Sequence, residues 1–566
     1  MATLSVSPIS ENLMLRKHLT SGLLAALILG FGVVYCMAYG YHGLHSIDSG
    51  IVFEGAWRIM SGQHFITDFD TPNGFVPIQI QVLFFKVFGV NWWAYRLHAG
   101  IFNGLFGLLV FWILRMVGQE RGLALLFGLL SCVIFYPPMG VPYMEQHSFF
   151  FLLLGVALTL RATLPGARAH LWLAMVPATW VLSILSKQNP GLLAPLLSLI
   201  AWACHSRKNR VLAAVKGLSI GILPAFLALI WIFGSPMQLF GENWADFWQH
   251  FWVLPREIGN ERFAEWNYGP MKTVRNMLWL PFQVILPELN FQFRQLLIVP
   301  FYLFLAEWAW RTAKGRLPMP KYPVKHLILG LGLVVCCSFF MRTSQNQLEN
   351  GLCLAFLGIG LGIEYWKAWL LDGPIRENWQ QASGWIWRAV AVFVAGTAVW
   401  AGIRFDREVN ATRLVLDFPA ARSANSLDAP KLGIDGLEFQ APYDAGFNDS
   451  AALVRWLQSH PGEVGYFGDM RFVLALGGKT DNFPSLWLHP GLTMPRVDSP
   501  EMEAFDMEFL SRLRAKPLKY MIFELENRRN YLGFQWECMP KTAAFVEGKK
   551  LSSETLGGFT IWTLQD

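Results

Sequence analysis

Long apolar runs alternate with short polar connections over the first 404 residues of the chain. A helix needs about 20 apolar residues to cross the hydrocarbon core of a bilayer. Runs close to that length are found near 19–41, 98–115, 121–137, 147–164, 171–187, 190–204, 211–234, 292–312, 326–341, 351–370 and 388–404. The pattern therefore predicts a mainly α-helical, polytopic membrane protein with about 11 transmembrane helices.

The first apolar run follows the basic pair Arg16 and Lys17, as the apolar segment of a signal peptide would. It is longer than such a segment usually is, and no small-x-small cleavage site follows it. We expect it to remain as the first transmembrane helix.

The connection after the first run contains two amphipathic stretches, 51–61 and 76–88. Each is about three turns long and too short to span a membrane. The turn-forming segment 68–74, with the sequence DFDTPNG, separates them. We expect two helices that lie on the outer membrane surface.

The chain changes character after Arg404. Strand-like apolar runs occur at 464–467, 520–524 and 559–564, and helical patterns at 451–459 and 502–515. The sequence therefore predicts two domains, a membrane domain at 1–404 and a smaller C-terminal α/β domain at 405–566.

Composition and charge agree with this division. Hydrophobic residues make up 54% of the chain and charged residues only 15%, which argues against a wholly soluble enzyme. Residues 1–404 contain 29 Lys and Arg against 18 Asp and Glu, whereas the last 162 residues contain 17 against 22. This sparse positive excess lacks the dense basic stripes of a nucleic-acid-binding protein, so nucleic acid is not expected as a partner.

The basic residues of the short connections fall on alternate ends of the predicted helices. Lys and Arg concentrate in cytoplasmic connections, which places the N-terminus in the cytoplasm. An odd number of helices then places the C-terminal domain outside the cytoplasm.

The sequence lacks the motifs of two common kinds of site, those based on cysteine and those that bind nucleotides. Among seven cysteines only Cys538 lies in the tail, and no Cys-x-x-Cys spacing occurs. No phosphate-binding glycine loop or nucleophile elbow stands in a suitable context either. Cysteine chemistry and nucleotide binding are therefore not predicted.

Asp48 follows directly after the first predicted transmembrane helix and precedes the first amphipathic stretch. A carboxylate at this position can deprotonate an acceptor hydroxyl if partial burial tunes its pKa. Asp is equally suited to cap a helix that begins near Ile51. The residues alone leave both roles open.

Further charged residues recur at the outer ends of predicted transmembrane helices. Glu145 begins the fourth, Lys187 and Gln188 interrupt two apolar runs, and Arg342 follows the ninth. Basic groups in a membrane-side cavity are costly unless they meet an anion, and a lipid phosphate would supply one. Alternatively, Glu145 complements a helix N-terminus and the basic side chains extend toward water.

His42, His45 and Asp48 are spaced three residues apart. A helix could present two imidazoles and a carboxylate at this spacing to a divalent metal ion. A helix that ends near His42 would separate them, so a metal ion is a weaker expectation.

A series of short elements gives the first outer loop a recognisable order and spacing. The elements are Asp48-Ser49-Gly50, Glu54-Gly55-Ala56-Trp57-Arg58, Ser61-Gly62-Gln63, Asp68-Phe69-Asp70, Pro72, Phe88-Gly89 and Arg96-Leu97. This loop resembles that of the GT-C glycosyltransferases, in particular the bacterial protein O-mannosyltransferase-like and lipid A aminoarabinose or galacturonic acid transferases. Glu145 and the break at 186–188 fall where that family places a second acid and a Lys-containing motif.

The resemblance implies a GT-C fold, a polyprenyl-phosphate-linked sugar donor and inverting transfer on the outer face of a bacterial inner membrane. It implies Asp48 as the catalytic base and Glu145 as its partner. Lys187, with Arg58 or Arg342, would hold the donor phosphate. The remaining candidates are Asp68, Asp70, His147 and Gln188. Family members often have a second acid after the loop Asp, whereas this chain has Ser49, which weakens a metal site of paired carboxylates.

The acceptor expected from the resemblance is an envelope glycolipid, polysaccharide or protein, and the sugar is a hexose or pentose. A polytopic transporter or flippase for a lipid-linked saccharide is the alternative. Transporters usually show repeated halves with matching broken helices, and no such repeat is found here. A scaffold protein of envelope assembly is a third possibility, but it would have no use for convergent acids and bases.

Overall fold

The computed structural model describes residues 8–40, 46–206, 211–234, 241, 243–257, 325–326, 328–330, 332–333, 336, 353–372, 380–410, 444–468, 470–488, 491, 493–497, 499–524 and 538–565. At 8–20, 46–49, 355, 365–366, 368–372, 380–383, 408–409 and 444–451 it describes the backbone alone.

Fifteen helices precede the C-terminal domain in the described part of the chain. They are α1 Pro8–Tyr39, α2 Ser46–Met60, α3 Phe75–Phe88, α4 Trp92–Met116, α5 Arg121–Ile134, α6 Met144–Thr163, α7 Ala169–Leu173, α8 Val176–Ser186, α9 Gln188–Gly191, α10 Ala194–His205, α11 Val211–Ile220, α12 Ile222–Phe233, α13 Trp244–Trp248, α14 Ala355–Asp372 and α15 Gln380–Phe405. Wider π turns at Gln249–Val253 and Asp406–Asn410 extend α13 and α15.

Small residues allow α1, α4 and α5 to pack closely. A Cβ atom on Gly32 or Gly104 would collide with the backbone of the facing helix, and one on Gly107 with the Cys132 sulfur. The buried Asn103 amide donates to the carbonyls of Gly32 (2.9 Å) and Cys132 (3.0 Å). Close backbone approach and a shared amide are typical of helix packing within a membrane.

Five helical segments within the described residues are long and apolar enough to cross a membrane. They are Ser21–Tyr39, Trp92–Met116, Ala169–Ser186, Val211–Phe233 and Gly384–Phe405. The predicted runs at 121–137, 147–164, 190–204 and 351–370 are also helical, in α5, α6, α9 with α10, and α14. The predicted run at 292–312 and most of 326–341 lie outside the described residues, so the number 11 stays a prediction.

Polar contacts gather at the end of the bundle where α1 and α5 end and where α4 and α6 begin, here called the loop end. Trp92 donates from its indole nitrogen to the carbonyl of Gly40 (3.0 Å). Asp406, directly after α15, accepts hydrogen bonds from the hydroxyls of Tyr35 and Tyr39. The first and last helices of the membrane domain are thereby joined at this end.

The C-terminal domain contains a four-stranded sheet in the order β1-β2-β4-β3. Strands β1 and β2 are parallel, and the other two pairs are antiparallel. Its elements are α16 Asp444–Ser459, β1 Val464–Phe467, α17 Phe472–Leu476, α18 Glu501–Ala515, β2 Tyr520–Glu524, α19 Pro540–Gly548, β3 Lys550–Leu556 and β4 Phe559–Leu564. The predicted α/β character and three of the strands are confirmed. The division at residue 404 stays a prediction, and α15 continues across it to Phe405.

Helices α2 and α3 exist as predicted, and their position on the outer membrane surface stays a prediction. Helix α2 is covered by protein on more than one side. Side chains on several faces of α2 are buried, including Phe53, Glu54 and Arg58. The reason is that α3 covers one side and the C-terminal domain another. Phe53 contacts Phe85 of α3 at a ring-centroid distance of 4.7 Å and Phe472 of α17 at 6.2 Å.

Candidate active site at the loop end

A break between two helices places Lys187 beside Glu145. Helix α8 ends at Ser186, and Lys187 adopts an extended backbone (φ −160°, ψ 135°) before the short helix α9. The Ser148 hydroxyl donates to the carbonyl of Lys187 (3.2 Å), and the Ser183 hydroxyl donates to the carbonyl of Ser148 (2.7 Å). These bonds tie the break to α6, the helix whose first turn carries Glu145.

The Lys187 ammonium group donates a hydrogen bond to the Glu145 carboxylate. The Glu145 side chain is only 2% exposed, whereas that of Lys187 is 25% exposed. The carboxylate therefore holds the ammonium from the protein side while part of the lysine remains accessible. A buried acid with a partly accessible lysine is suited to receiving an anion.

The segment 72–74 of the first loop lies against residues next to this ion pair. The amide of Gly74 donates to the carbonyl of Ser186 (2.9 Å), next to Lys187. Gly74 has a φ of +87°, and a Cβ atom there would stand 3.1 Å from the side chain of Met144, next to Glu145. Glycine suits both the left-handed backbone and the close approach.

Gln188 joins the two outer connections to the helix break. Its side-chain amide donates to the carbonyl of Pro72 (2.6 Å) and to that of Phe251. The candidate Gln188 thus holds the backbone of Pro72 and Phe251 next to the helix break.

Asp48 is the third residue of α2, because the helix begins at Ser46. The alternative in which Asp48 caps a helix starting near Ile51 is therefore wrong. Its side chain is outside what the structure describes, and so are the residues His42, His45 and Arg342. Among the described residues, no three His, Cys, Asp or Glu side chains form a group that could hold a metal ion.

Arg58 is fully buried, and its guanidinium is engaged by the protein. It donates to Glu54 (3.0 Å), to the carbonyl of Phe483 (2.9 Å) and to the Asp481 carboxylate. The expectation that Arg58 binds the donor phosphate is corrected accordingly, because this side chain lies in the contact with the C-terminal domain.

Asp68 closes a turn of the first loop. Its carboxylate accepts a hydrogen bond from the amide of His64 (2.7 Å), and its side chain is 42% exposed. We assign Asp68 a local structural role.

Asp70 is mostly buried, with 13% of its side chain exposed, and it faces His250 with 3.5 Å between its Oδ2 and the imidazole Nε2. Burial raises the pKa of Asp70 well above its usual range, and burial also lowers the pKa of His250. Both shifts favour the neutral forms, since removal from water penalises charge. Asp70 therefore differs from its neighbour Asp68 in exposure, although both belong to the sequence element Asp68-Phe69-Asp70.

His147 belongs to a buried polar chain that crosses three helices. Its Nε2 lies 2.8 Å from Nε2 of His98, and its Nδ1 lies 2.6 Å from the Tyr136 hydroxyl. His98 in turn contacts the Gln81 amide oxygen at 2.8 Å. This chain fixes the first turn of α6 two residues after Glu145. The sequence analysis missed His98, Tyr136 and Gln81, and their only signal is polarity within otherwise apolar segments.

Glu54 makes the stability of this region dependent on pH. Burial raises the pKa of Glu54 to about 7, and the guanidinium groups of Arg58 and Arg471 oppose the rise. Between the ordinary value of 4.5 and about 7, the folded protein holds a proton that the unfolded chain has lost. The free energy of unfolding contributed by this group therefore falls as pH rises through that window.

We expect thermal unfolding of the detergent-solubilised protein to show this dependence. The melting temperature of the wild type should fall relative to that of Glu54→Gln as pH rises from 4.5 to about 7. The difference between the two slopes is the measured quantity, because the substitution also weakens the bond to Arg58 at every pH. Parallel slopes would contradict a raised pKa.

Comparison with known proteins finds several similar solved structures, two of them of one protein. No protein-family model and no curated protein matches the sequence. The chain is similar to ArnT from Cupriavidus metallidurans bound to undecaprenyl phosphate, with 15% identity, a TM-score of 0.45, and coverage of 96% of this chain and 97% of that one. The chain is also similar to the same ArnT in the apo state, with 13% identity, a TM-score of 0.45, and coverage of 96% of this chain and 98% of that one.

Identity and TM-score at this level assign no residue role to the present chain.

Proposed function

We propose that this chain is a GT-C glycosyltransferase that moves a sugar from a polyprenyl-phosphate donor to an envelope glycolipid, polysaccharide or protein. The observation that carries the proposal is the ion pair of buried Glu145 with partly accessible Lys187 at the loop end. Five helical segments of the described residues are apolar enough to cross a membrane, and their apolar surfaces would accommodate a prenyl chain. The order of elements in the first loop, from Asp48 to Pro72, supports the same class of enzyme.

In the proposed reaction the acceptor hydroxyl attacks the anomeric carbon of the donor sugar. The new bond joins the acceptor oxygen to that carbon, and the bond from the carbon to the phosphate oxygen breaks. The hydroxyl proton passes to Asp48, and polyprenyl phosphate leaves with the bonding electron pair. Attack opposite the leaving group inverts the anomeric centre.

Lys187 has the role of stabilising the departing phosphate. Negative charge grows on the phosphate oxygen in the transition state, and a fixed cation in a site with little water stabilises it strongly. Glu145 keeps the ammonium in place. A lipid-linked donor also accounts for the lack of a nucleotide-binding motif, because nucleotide sugars are scarce outside the cytoplasm.

The proposed location follows the predicted topology. The N-terminus is cytoplasmic, and the loop end with the C-terminal domain faces the periplasm of a bacterial inner membrane.

Transfer in detergent micelles tests the proposal and separates it from transport. The purified protein is mixed with lipid extracts from a strain that lacks the gene, and the products are followed by lipid mass spectrometry. A transferase adds one sugar increment to an acceptor and releases polyprenyl phosphate. A transporter or flippase yields no new covalent product, because translocation neither forms nor breaks a covalent bond, and a micelle offers no two sides between which to move a substrate. Unchanged masses with extracts of lipid, polysaccharide and protein would refute the proposed function.

A further inference from the structure

One segment of the C-terminal domain, 479–486, is built into the first loop of the membrane domain. The indole nitrogen of Trp57 donates to the carbonyl of Lys479 (2.8 Å), and the Gln63 amide donates to that of Asp481 (2.9 Å). The amide of Asp70 donates to the carbonyl of Pro484 (2.7 Å). Three positions of the loop are therefore bonded to one short segment more than 400 residues later in the chain.

Four buried ionisable side chains form the centre of this contact. The two oxygens of Asp481 each accept from a different guanidinium, that of Arg58 in α2 and that of Arg471 in the C-terminal domain. Arg58 also pairs with Glu54, and Arg471 also donates to the carbonyl of Tyr466. Two acids and two bases thus alternate, and they come from both domains.

Such a set is sensitive to geometry. Removing charges from water is costly, and the cost is recovered only if every group keeps its partners at hydrogen-bonding distance. A shift of α2 against the C-terminal domain would leave Arg58 and Asp481 buried without each other. The contact therefore favours one position of α2 rather than a range of positions.

The position of α2 determines where Asp48 stands. Asp48 lies in the first turn and Arg58 in the last turn of the same helix. They are ten residues apart, about 15 Å along the axis at about 1.5 Å per residue. An uninterrupted helix transmits a displacement of one end to the other.

We propose that the C-terminal domain positions the catalytic base: segment 479–486, through the Asp481–Arg58 contact, holds α2 where Asp48 reaches the acceptor hydroxyl. The catalytic part of this inference rests on the proposed function. Arg58 and Asp481 are positioning residues, since they act through α2 and not on the substrate. The contact leaves the Glu145–Lys187 pair untouched, so its loss should slow transfer without weakening donor binding.

Asp481→Asn is the principal test, and Lys541→Gln is its control. The Asn side chain keeps the shape but removes the charge that both arginines share. A displacement of about 1 Å at a reacting group can cost about 100-fold in rate, so we expect the transfer rate to fall about 10- to 100-fold. The donor concentration for half-maximal rate should stay within about twofold. Lys541 pairs with Glu503 on an exposed face of the same domain, and its variant should transfer at the wild-type rate.

Two further substitutions, at Arg58 and Trp57, should lower the transfer rate by smaller amounts. Arg58→Lys keeps the charge but lacks the planar fork that reaches three acceptors, so it should recover part of the rate relative to Arg58→Gln. Trp57→Phe keeps every charge but removes the bond to Lys479 together with part of the packed indole, and it should lower the rate about fivefold, about the effect of one neutral hydrogen bond. If the charge variants fail to fold, Trp57→Phe decides the test.

Hydrogen–deuterium exchange gives a readout that does not depend on activity. Amides of α2, residues 46–60, should exchange faster in Asp481→Asn, while those of α4 and β2 keep the wild-type rate. Full transfer activity with unchanged α2 exchange would overturn the inference. Uniformly faster exchange in all three elements would also overturn it, since that result describes general destabilisation. If the wild type transfers no sugar, the proposed function fails and the exchange of α2 alone decides whether the contact positions the helix.

Discussion

Replacing Lys187 by Met should lower the rate of sugar transfer about 100- to 1000-fold, the range found when one donor to a developing negative charge is removed. Met keeps much of the length and apolar volume of the side chain, so the break between α8 and α9 is preserved. The ammonium group is lost, and with it the proposed contact to the leaving phosphate. Binding of polyprenyl phosphate itself should weaken as well, because the cation meets the anion in the ground state too.

The matched control is Lys367→Met. Lys367 pairs with Glu120 at 2.9 Å and is 23% exposed, close to the 25% of Lys187. Glu120 immediately precedes α5, so this pair lies at the end of the bundle opposite the loop end. The same substitution there removes the same charge from a lysine of similar exposure, although its partner carboxylate is 56% exposed, and transfer should remain near the wild-type rate.

Glu145→Gln separates the effect of the Lys187 charge from the effect of its position. The variant leaves the Lys187 ammonium in the site but removes the anion that fixes it, so the loss in rate should be smaller than in Lys187→Met. In the double variant the two effects should not add, because both act on one interaction. Equal rates in Lys187→Met and Lys367→Met, or additive losses in the double variant, would refute the assignment of this pair to the donor phosphate.

The membrane helices and most of the sheet could be predicted from the sequence because their signal is local. The apolar runs at 98–115 and 388–404 lie within observed helices, and the strands predicted at 464–467, 520–524 and 559–564 match β1, β2 and β4. Strand β3 was missed. Its side chains are largely exposed and its sequence, KLSSETL, is mostly polar, so it lacks the buried alternation that marks a strand.

The partners of charged residues were harder to predict because they are distant in sequence. Arg58 and Asp481 are separated by 423 positions, and no periodicity connects them. The position of Arg58 in a loop next to a membrane suggested that it binds the phosphate of a lipid donor. Its anionic partner is instead Asp481 of the C-terminal domain. Glu145 and Lys187 are 42 positions apart, but both stand at ends of apolar runs, and that local feature was enough to group them.

Asp48→Asn should abolish measurable transfer while leaving donor binding intact. General base catalysis contributes about 100- to 10,000-fold, and Asn has nearly the same shape as Asp but cannot accept a proton. The two variants are therefore expected to differ in kind: Lys187→Met weakens both donor binding and transfer, whereas Asp48→Asn affects transfer alone. Binding of polyprenyl phosphate and the rate of product formation should be measured on the same preparations.

Asp68→Asn is the comparison for this substitution. It makes the same chemical change in the same loop, at an exposed turn carboxylate whose bond to the His64 amide an Asn oxygen can also accept. We expect it to transfer within about threefold of the wild type, as is usual for surface substitutions. The exchange rates of α2 amides show whether Asp48→Asn keeps its fold. A folded Asp48→Asn protein with undiminished transfer would show that another group removes the acceptor proton. The mostly buried Asp70 with its partner His250 would then be the next pair to substitute.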